Sequence, residues 1–204
     1  MNIRQKKHLP SADELFMRFF DSWYDEDSRK LKSYPATRPD MLVVDEYRGQ
    51  MAESISPLSP EGQDEVKEMI EDMLEAGKLD LLDELDLSPE LKLDWVDAFD
   101  KHYSRKQIAD LIDESEPEDF SNSYIAVCCE FGALLGERLQ ASCPELEWVY
   151  SWPYWESSLL HPDTGSLIAV FHWAIKKMSE YGVDDACVAK VKECVAELNN
   201  NSKS

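Results

Sequence analysis

EWVYSWPYWESSLLHPDTGSLIAVFHW, residues 147–173, carries four of the six tryptophans and two of the four histidines of a 204-residue chain. Trp148, Tyr150, Trp152 and Tyr154 alternate with Val149, Ser151 and Pro153. That period of two predicts a strand with one aromatic face, which Pro153 confines to an edge or ends early. HPDTGS supplies turn chemistry through Asp163 and Gly165, and LIAVFHW is rich enough in β-branched and aromatic residues to pair back as a second strand. Periodicity leaves residues 166–177 open between a strand followed by a helix and a single helix capped by Ser166, with Leu167, Val170, Phe171 and Ala174 on one face. The composition favours the strand followed by a helix.

Upstream, SNSYIAVCCEFGALLGERLQ sets Tyr124, Val127, Cys128, Phe131, Leu135 and Leu139 along one helical face, with Ala126, Cys129, Gly132, Ala133 and Gly136 beside it. Each glycine costs about 1 kcal/mol in a helix interior relative to alanine. The expected compensation is close approach of another backbone, which makes this the central helix of the second half. Downstream, DDACVAKVKECVAELNN spaces Val188, Val191, Val195 and Leu198 for a final helix.

The first half reads as a helical lobe. Ser11 and Glu14 form a capping box ahead of Leu15, Phe16, Phe19, Phe20 and Trp23 at helical spacing. Residues 27–59 hold several prolines and one strand-like run, Met41 to Val44, and read mostly as loop. A second helix has Ser59 as cap, Pro60 at its first position and Gly77 as its stop, with Val66, Met69, Ile70, Met73 and Leu74 facing inward. Ser88 and Pro89 repeat that start ahead of Trp95, Val96, Phe99 and Tyr103, and Ser104 caps a helix carrying Ile108, Leu111 and Ile112. The polar break ESEPEDFSN is the best internal boundary, dividing an acidic helical lobe, 1–116, from residues 117–204, or marking a bend in one continuous domain. The fold class expected is α+β, predominantly α, with a helical N-terminal lobe and a small antiparallel hairpin or sheet packed by helices.

Charge separates the thirds of the chain. Residues 1–60 carry 10 acids and 9 bases, residues 61–120 carry 21 and 6, and residues 121–204 carry 11 and 6, for a net charge of −21. The middle third would repel nucleic acid and anionic lipid over a Debye length of about 8 Å, and would speed encounter with a basic protein. No apolar run is long enough to span a membrane, and the basic start lacks the apolar core of a signal peptide. The five cysteines form neither a CxxC pair nor an even set. They read as small buried hydrophobes in a reducing cytoplasm.

No catalytic motif stands out. His161, Asp163 and His172, with Glu156 close in sequence, offer imidazole and carboxylate ligands, but their spacing fits no specific metal grammar. His161 is more simply a turn residue and His172 a core residue with a hydrogen-bonded ring. Cys128 and Cys129 lie too far into an apolar helix to be reactive thiolates. There is no G-x-S-x-G, glycine-rich phosphate loop or H-E-x-x-H, so no cofactor is expected. The aromatic segment has a plain reading as core; Tyr154, Trp155 and Glu156 at its end are the positions expected to be partly exposed. The acidic residues Glu61, Asp64, Glu65, Glu68, Glu71, Asp72 and Glu75 likewise read plainly as a solvated helix face, but their concentration exceeds what solubility needs.

The motifs EFGALLGERL, EWVYSWPYW and DTGSLIAVFHWAIKK, within residues 120–181, resemble small uncharacterised bacterial domains in which a glycine-bearing helix precedes an aromatic hairpin and a final helix. Some of these resemble immunity proteins that neutralise toxins. The likeness brings no active-site residue with it. The functional expectation is a non-enzymatic cytoplasmic binding protein whose acidic surface engages a basic protein partner, with the seven acids above and Tyr154, Trp155 and Glu156 as contact residues. The alternative is a small hydrolase or metal-dependent enzyme centred on residues 154–172.

Overall fold

A capping box opens the first helix, α1 (Ala12–Phe19): the Ser11 hydroxyl accepts from the Glu14 N–H at 3.2 Å, and the Glu14 carboxylate accepts from the Ser11 N–H at 2.7 Å. Such a cap is worth about 1 kcal/mol. Leu15, Phe16, Phe19 and Phe20 are buried; Trp23 lies beyond the helix end in a 3-10 turn, half-buried. The computed structural model describes residues 8–30, 32–87, 94–119 and 121–201. Ser88 and Pro89, expected to open a helix, lie outside them.

The segment after α1 runs over the surface, contributing the short strand β1 (Met41–Val43) and a one-turn helix α2 (Ala52–Ile55). Helix α3 (Pro60–Ala76) starts as its cap predicts, with the Ser59 hydroxyl accepting from the Gly62 N–H at 3.2 Å. Gly77 does not stop it. The residue is right-handed, and the chain continues through a π turn (Gly77–Leu81) into α4 (Leu82–Glu84) before Asp86 turns it at φ 55°. The glycine serves packing instead: a Cβ there would lie 3.1 Å from the Leu134 side chain.

Helices α5 (Asp94–His102) and α6 (Arg105–Glu114) follow, then α7 (Ser123–Ser142), capped by the Asn122 side chain accepting from the Ile125 N–H at 2.9 Å. Helix α7 is buried on nearly every side, because helices and the sheet surround it. Phe131 stacks on Phe99 of α5 with ring centroids 4.0 Å apart, and Phe19 stacks on Tyr124 at 4.7 Å. Beyond α7 come β2 (Glu147–Val149), a 3-10 turn (Tyr154–Glu156), β3 (Ser158–His161), β4 (Ser166–Ile168), α8 (Val170–Lys177) and α9 (Cys187–Asn201).

The four strands form one antiparallel sheet in the order β1-β4-β3-β2, with Leu42 opposite Leu167, Leu160 opposite Leu167 and Trp148 opposite Leu159. Residues 166–177 are therefore strand followed by helix. The aromatic strand is shorter than its alternation predicts: it ends at Val149, and the partner of β4 in the hairpin is β3 rather than the segment around Tyr150 to Tyr154. The LLH run of β3, buried throughout, hides no period-two signal to read, because both faces of the strand are covered. Among the described residues the fold is thus predominantly helical with a small antiparallel sheet. One apolar cluster joins Phe16, Ile70, Phe99, Phe131, Leu159, Phe171 and Leu198.

Of the two glycines of α7, Gly132 meets the expected close backbone, and Gly136 instead makes room for a side chain. A Cβ on Gly132 would stand 3.1 Å from the Phe171 Cα and 2.5 Å from its ring, so α8 crosses there at backbone distance. At Gly136 the intruder is a side chain, the Trp148 indole, 2.6 Å from the same hypothetical atom. Gly132→Ala should cost about 2–3 kcal/mol in urea unfolding through overpacking. Gly62→Ala, whose new methyl meets nothing closer than 3.5 Å, should be neutral or stabilising by up to about 1 kcal/mol.

Candidate functional site

Helix α3 turns Val66 and Ile70 inward and leaves Glu61, Asp64, Glu65, Glu68, Glu71, Asp72 and Glu75 all exposed. Among the described residues only Glu71 of the seven makes an ion pair, with Lys67 one turn earlier at 3.9 Å. The face is a stripe of uncompensated negative charge.

Tyr154, Trp155 and Glu156 are not partly exposed. They are 3%, 1% and 5% accessible, because the 3-10 turn after β2 folds them inward. Trp155 meets Phe20 edge-on at 5.2 Å, and Tyr154 meets Phe171 at 5.6 Å. Their inner rings still back a groove of about 320 Å³, formed with Trp23, Trp152, Met69 and Met73 and rimmed by Asp72 of α3.

Glu156 is the centre of a buried polar cluster. Arg38 reaches it at 2.5 Å and also donates to the Ser158 hydroxyl at 2.8 Å; the Tyr24 hydroxyl donates to the second carboxylate oxygen and itself accepts from the Trp155 indole N–H at 2.9 Å. Burial alone would raise the Glu156 carboxyl, but His172, Arg38 and Tyr24 outweigh it and hold it below its ordinary range. His172 Nε2 lies 3.3 Å from the same carboxylate but out of line for a hydrogen bond, and neither ring nitrogen makes one. Its ring was expected to be hydrogen-bonded, but neither nitrogen has a bond in line; burial lowers its pKa, and the Glu156 carboxylate beside it opposes that shift. This cluster ties the surface segment of residues 24–38 to the core. His161, Asp163 and His172 do not converge: Asp163 is exposed in the turn and His172 faces Glu156.

A site that the sequence reading missed lies where the π turn, α5, α6 and α7 meet. There a pocket of about 430 Å³ is lined by Asp80, Glu84, Asp110, Glu114 and Glu130, with no lysine or arginine in its wall among the described residues. Its volume falls within the roughly 300–1,000 Å³ of small-ligand pockets. Glu84 accepts from the Tyr103 hydroxyl at 2.8 Å and meets His102 Nε2 at 3.0 Å, and Asp110 pairs with Lys106 at 2.8 Å. Glu130 has no such relief. It is 8% accessible, lines the pocket from α7, and has no hydrogen-bond or ion-pair partner among the described residues. Burial, then the negative charges of Asp80 and Glu84, push its carboxyl up to about 7. A single acid inside the apolar run YIAVCCEFGALL was the available signal.

None of the known family models, curated proteins or solved structures matches this chain.

Two outcomes follow from the contrast between these glutamates. Arg38→Met strands a buried carboxylate and should cost about 3 kcal/mol in urea unfolding. Glu130 behaves oppositely. Its folded pKa lies above the unfolded value, so ionisation destabilises the fold as pH rises from about 4.5 to 7. Glu130→Gln should therefore stabilise the protein at pH 8 by on the order of 2 kcal/mol, allowing for solvent at the pocket mouth, and leave it nearly unchanged at pH 4.5; thermal melts at both pH values check this.

Proposed function

We propose that this chain is a non-enzymatic cytoplasmic binding protein that engages a basic protein partner, as an inhibitor or immunity-type protein does. The acidic face of α3 draws the partner in, and an arginine or lysine side chain of the partner seats in the pocket over Glu130. The observation that carries the reading is Glu130 itself, a buried carboxylate kept without a counter-charge in a pocket whose other charged walls are also acidic. A fold gains nothing by holding such a group uncompensated, whereas a cation arriving from outside satisfies it.

The chemistry of the cation follows from the spacing. No three carboxylates of the pocket bring oxygens within 4.8 Å of one another, so a single metal ion does not suit them. A guanidinium, planar with five donors, reaches acceptors on several sides and can lie along the Tyr103 ring. The seven exposed acids of α3 act at longer range, on the rate of encounter more than on the strength of the final contact. The absence of any helix long and apolar enough to cross a membrane, among the described residues, fits this reading, as do five free, buried cysteines.

A hexa-arginine peptide is a direct probe, measured by titration calorimetry. Binding should weaken steeply as salt rises, and should strengthen between pH 6 and pH 8 as Glu130 loses its proton. Glu130→Gln should lose about tenfold in affinity or more at pH 8, while the triple change Glu68→Gln, Glu71→Gln and Asp72→Asn should mainly flatten the salt dependence. Equal binding by the wild type and Glu130→Gln, or binding indifferent to salt, would overturn the proposal.

A further inference from the structure

Further along α7 than Glu130, the end of the helix carries an arrangement that the basic-partner reading does not use. Cys143 is the residue at which the helix stops: its N–H still bonds the Leu139 carbonyl at 2.8 Å, but its backbone has left the helical region. Glu145 follows in the turn, exposed, and the Leu146 N–H closes that turn on the Cys143 carbonyl at 3.1 Å. His161 ends β3. Glu147 pairs with Leu160 across the β2–β3 ladder, so continuing that register by one position brings the Cys143–Glu145 turn alongside His161. The fold thereby gathers a thiol and a carboxylate from one turn and an imidazole from the end of β3, with their ligand atoms all within 4.8 Å of one another.

We infer that Cys143 Sγ, a carboxylate oxygen of Glu145 and a ring nitrogen of His161 form a zinc site whose fourth position is left to water. One soft, one borderline and one hard donor make a set that suits zinc, whereas calcium and magnesium prefer oxygen alone. Zinc bonds of about 2.0–2.3 Å require ligand atoms roughly 3.5 Å apart, so the three must draw together slightly. Glu145 can supply that movement, because it is exposed in a turn and makes no ion pair among the described residues. The Cys143 thiol already lies 3.5 Å from the Glu145 carboxylate. In that contact the S–H donates to the carboxylate, which places both groups where one cation could take the proton's position between them. On binding, the zinc ion replaces the thiol proton: the S–H bond breaks, the sulfur keeps the electron pair and donates it to the metal, and the proton leaves to solvent. No oxidant or reductant is needed. The bound ion would clasp the α7–β2 turn to the end of β3, the corner from which both the sheet and the Trp148 contact are built.

Cobalt(II) titrated into the metal-free full-length protein tests this without relying on any activity. The wild type should develop a thiolate-to-cobalt charge-transfer band that saturates at one equivalent and disappears when zinc is added. Cys143→Ser should abolish the band. Glu145→Gln, at an exposed position that leaves the fold intact, should bind about tenfold more weakly or worse, and zinc should raise the melting temperature of the wild type but not of this variant at the same concentration. No charge-transfer band in the wild type at stoichiometric cobalt, a band that survives Cys143→Ser, or wild-type affinity in Glu145→Gln would each overturn the site. None of these outcomes depends on whether hexa-arginine binds.

Discussion

Close approach at two glycines of α7 is the constraint on which the other elements depend. With no Cβ at Gly132, α8 crosses at backbone distance, and with none at Gly136 the Trp148 indole comes up against the helix. Trp148 belongs to β2, so the second contact fixes the edge of the sheet, and β3 and β4 then take their places from it by register. The first contact fixes α8, whose lysines reach back to the surface segment and to α5: Lys176 pairs with Asp40 at 2.8 Å and Lys177 with Asp100 at 2.7 Å. A helix that is apolar nearly all round, carrying two residues of poor helical propensity, is thus stabilised by what it allows to pack rather than by its own preference.

What could be read in the sequence follows the same logic. The capping box of α1, the Ser59–Pro60 start of α3 and the packing role of Gly132 were legible because each is a local rule with a local cause. The strand and helix of residues 166–177 were legible in composition but not in period. The aromatic alternation from Trp148 to Tyr154 misled, since it continues past the point where the backbone leaves the sheet and turns Tyr154 and Trp155 into the core. Gly77 misled for a related reason: a glycine at the end of an amphipathic run has the look of a cap, and only the proximity of Leu134 reveals it as a contact. The pocket at Glu130 and the Cys143–Glu145–His161 group arise from residues brought together across the chain, which no window of sequence displays.

Glu156 and Glu130 give the sharpest internal comparison. Both are glutamates buried in the same fold, and burial raises the carboxyl pKa of both. Around Glu156 the chain has assembled a guanidinium, a phenol and an imidazole, and the carboxyl is held below its ordinary range. Around Glu130 it has assembled two more carboxylates, and the carboxyl is pushed up. The first arrangement is what a fold does when a buried charge serves its own integrity. The second runs against stability, and the opposing term has to be supplied from elsewhere.

On the proposed reading, the acids of α3 and of the pocket are more than a solvated surface. Solubility is met by charges that face water, as those of α3 do, and it costs the core nothing. A carboxylate buried on α7 does not add to solubility, yet it lies beside the exposed acids Asp80 and Glu84, whose charges act on it. Low-dielectric walls around such a group concentrate the potential of Asp80 and Glu84 at the pocket floor, so a cation gains most by going deepest. On that reading the exposed acids and the buried one divide the work: the helix face sets the reach of the attraction, and Glu130 its end point.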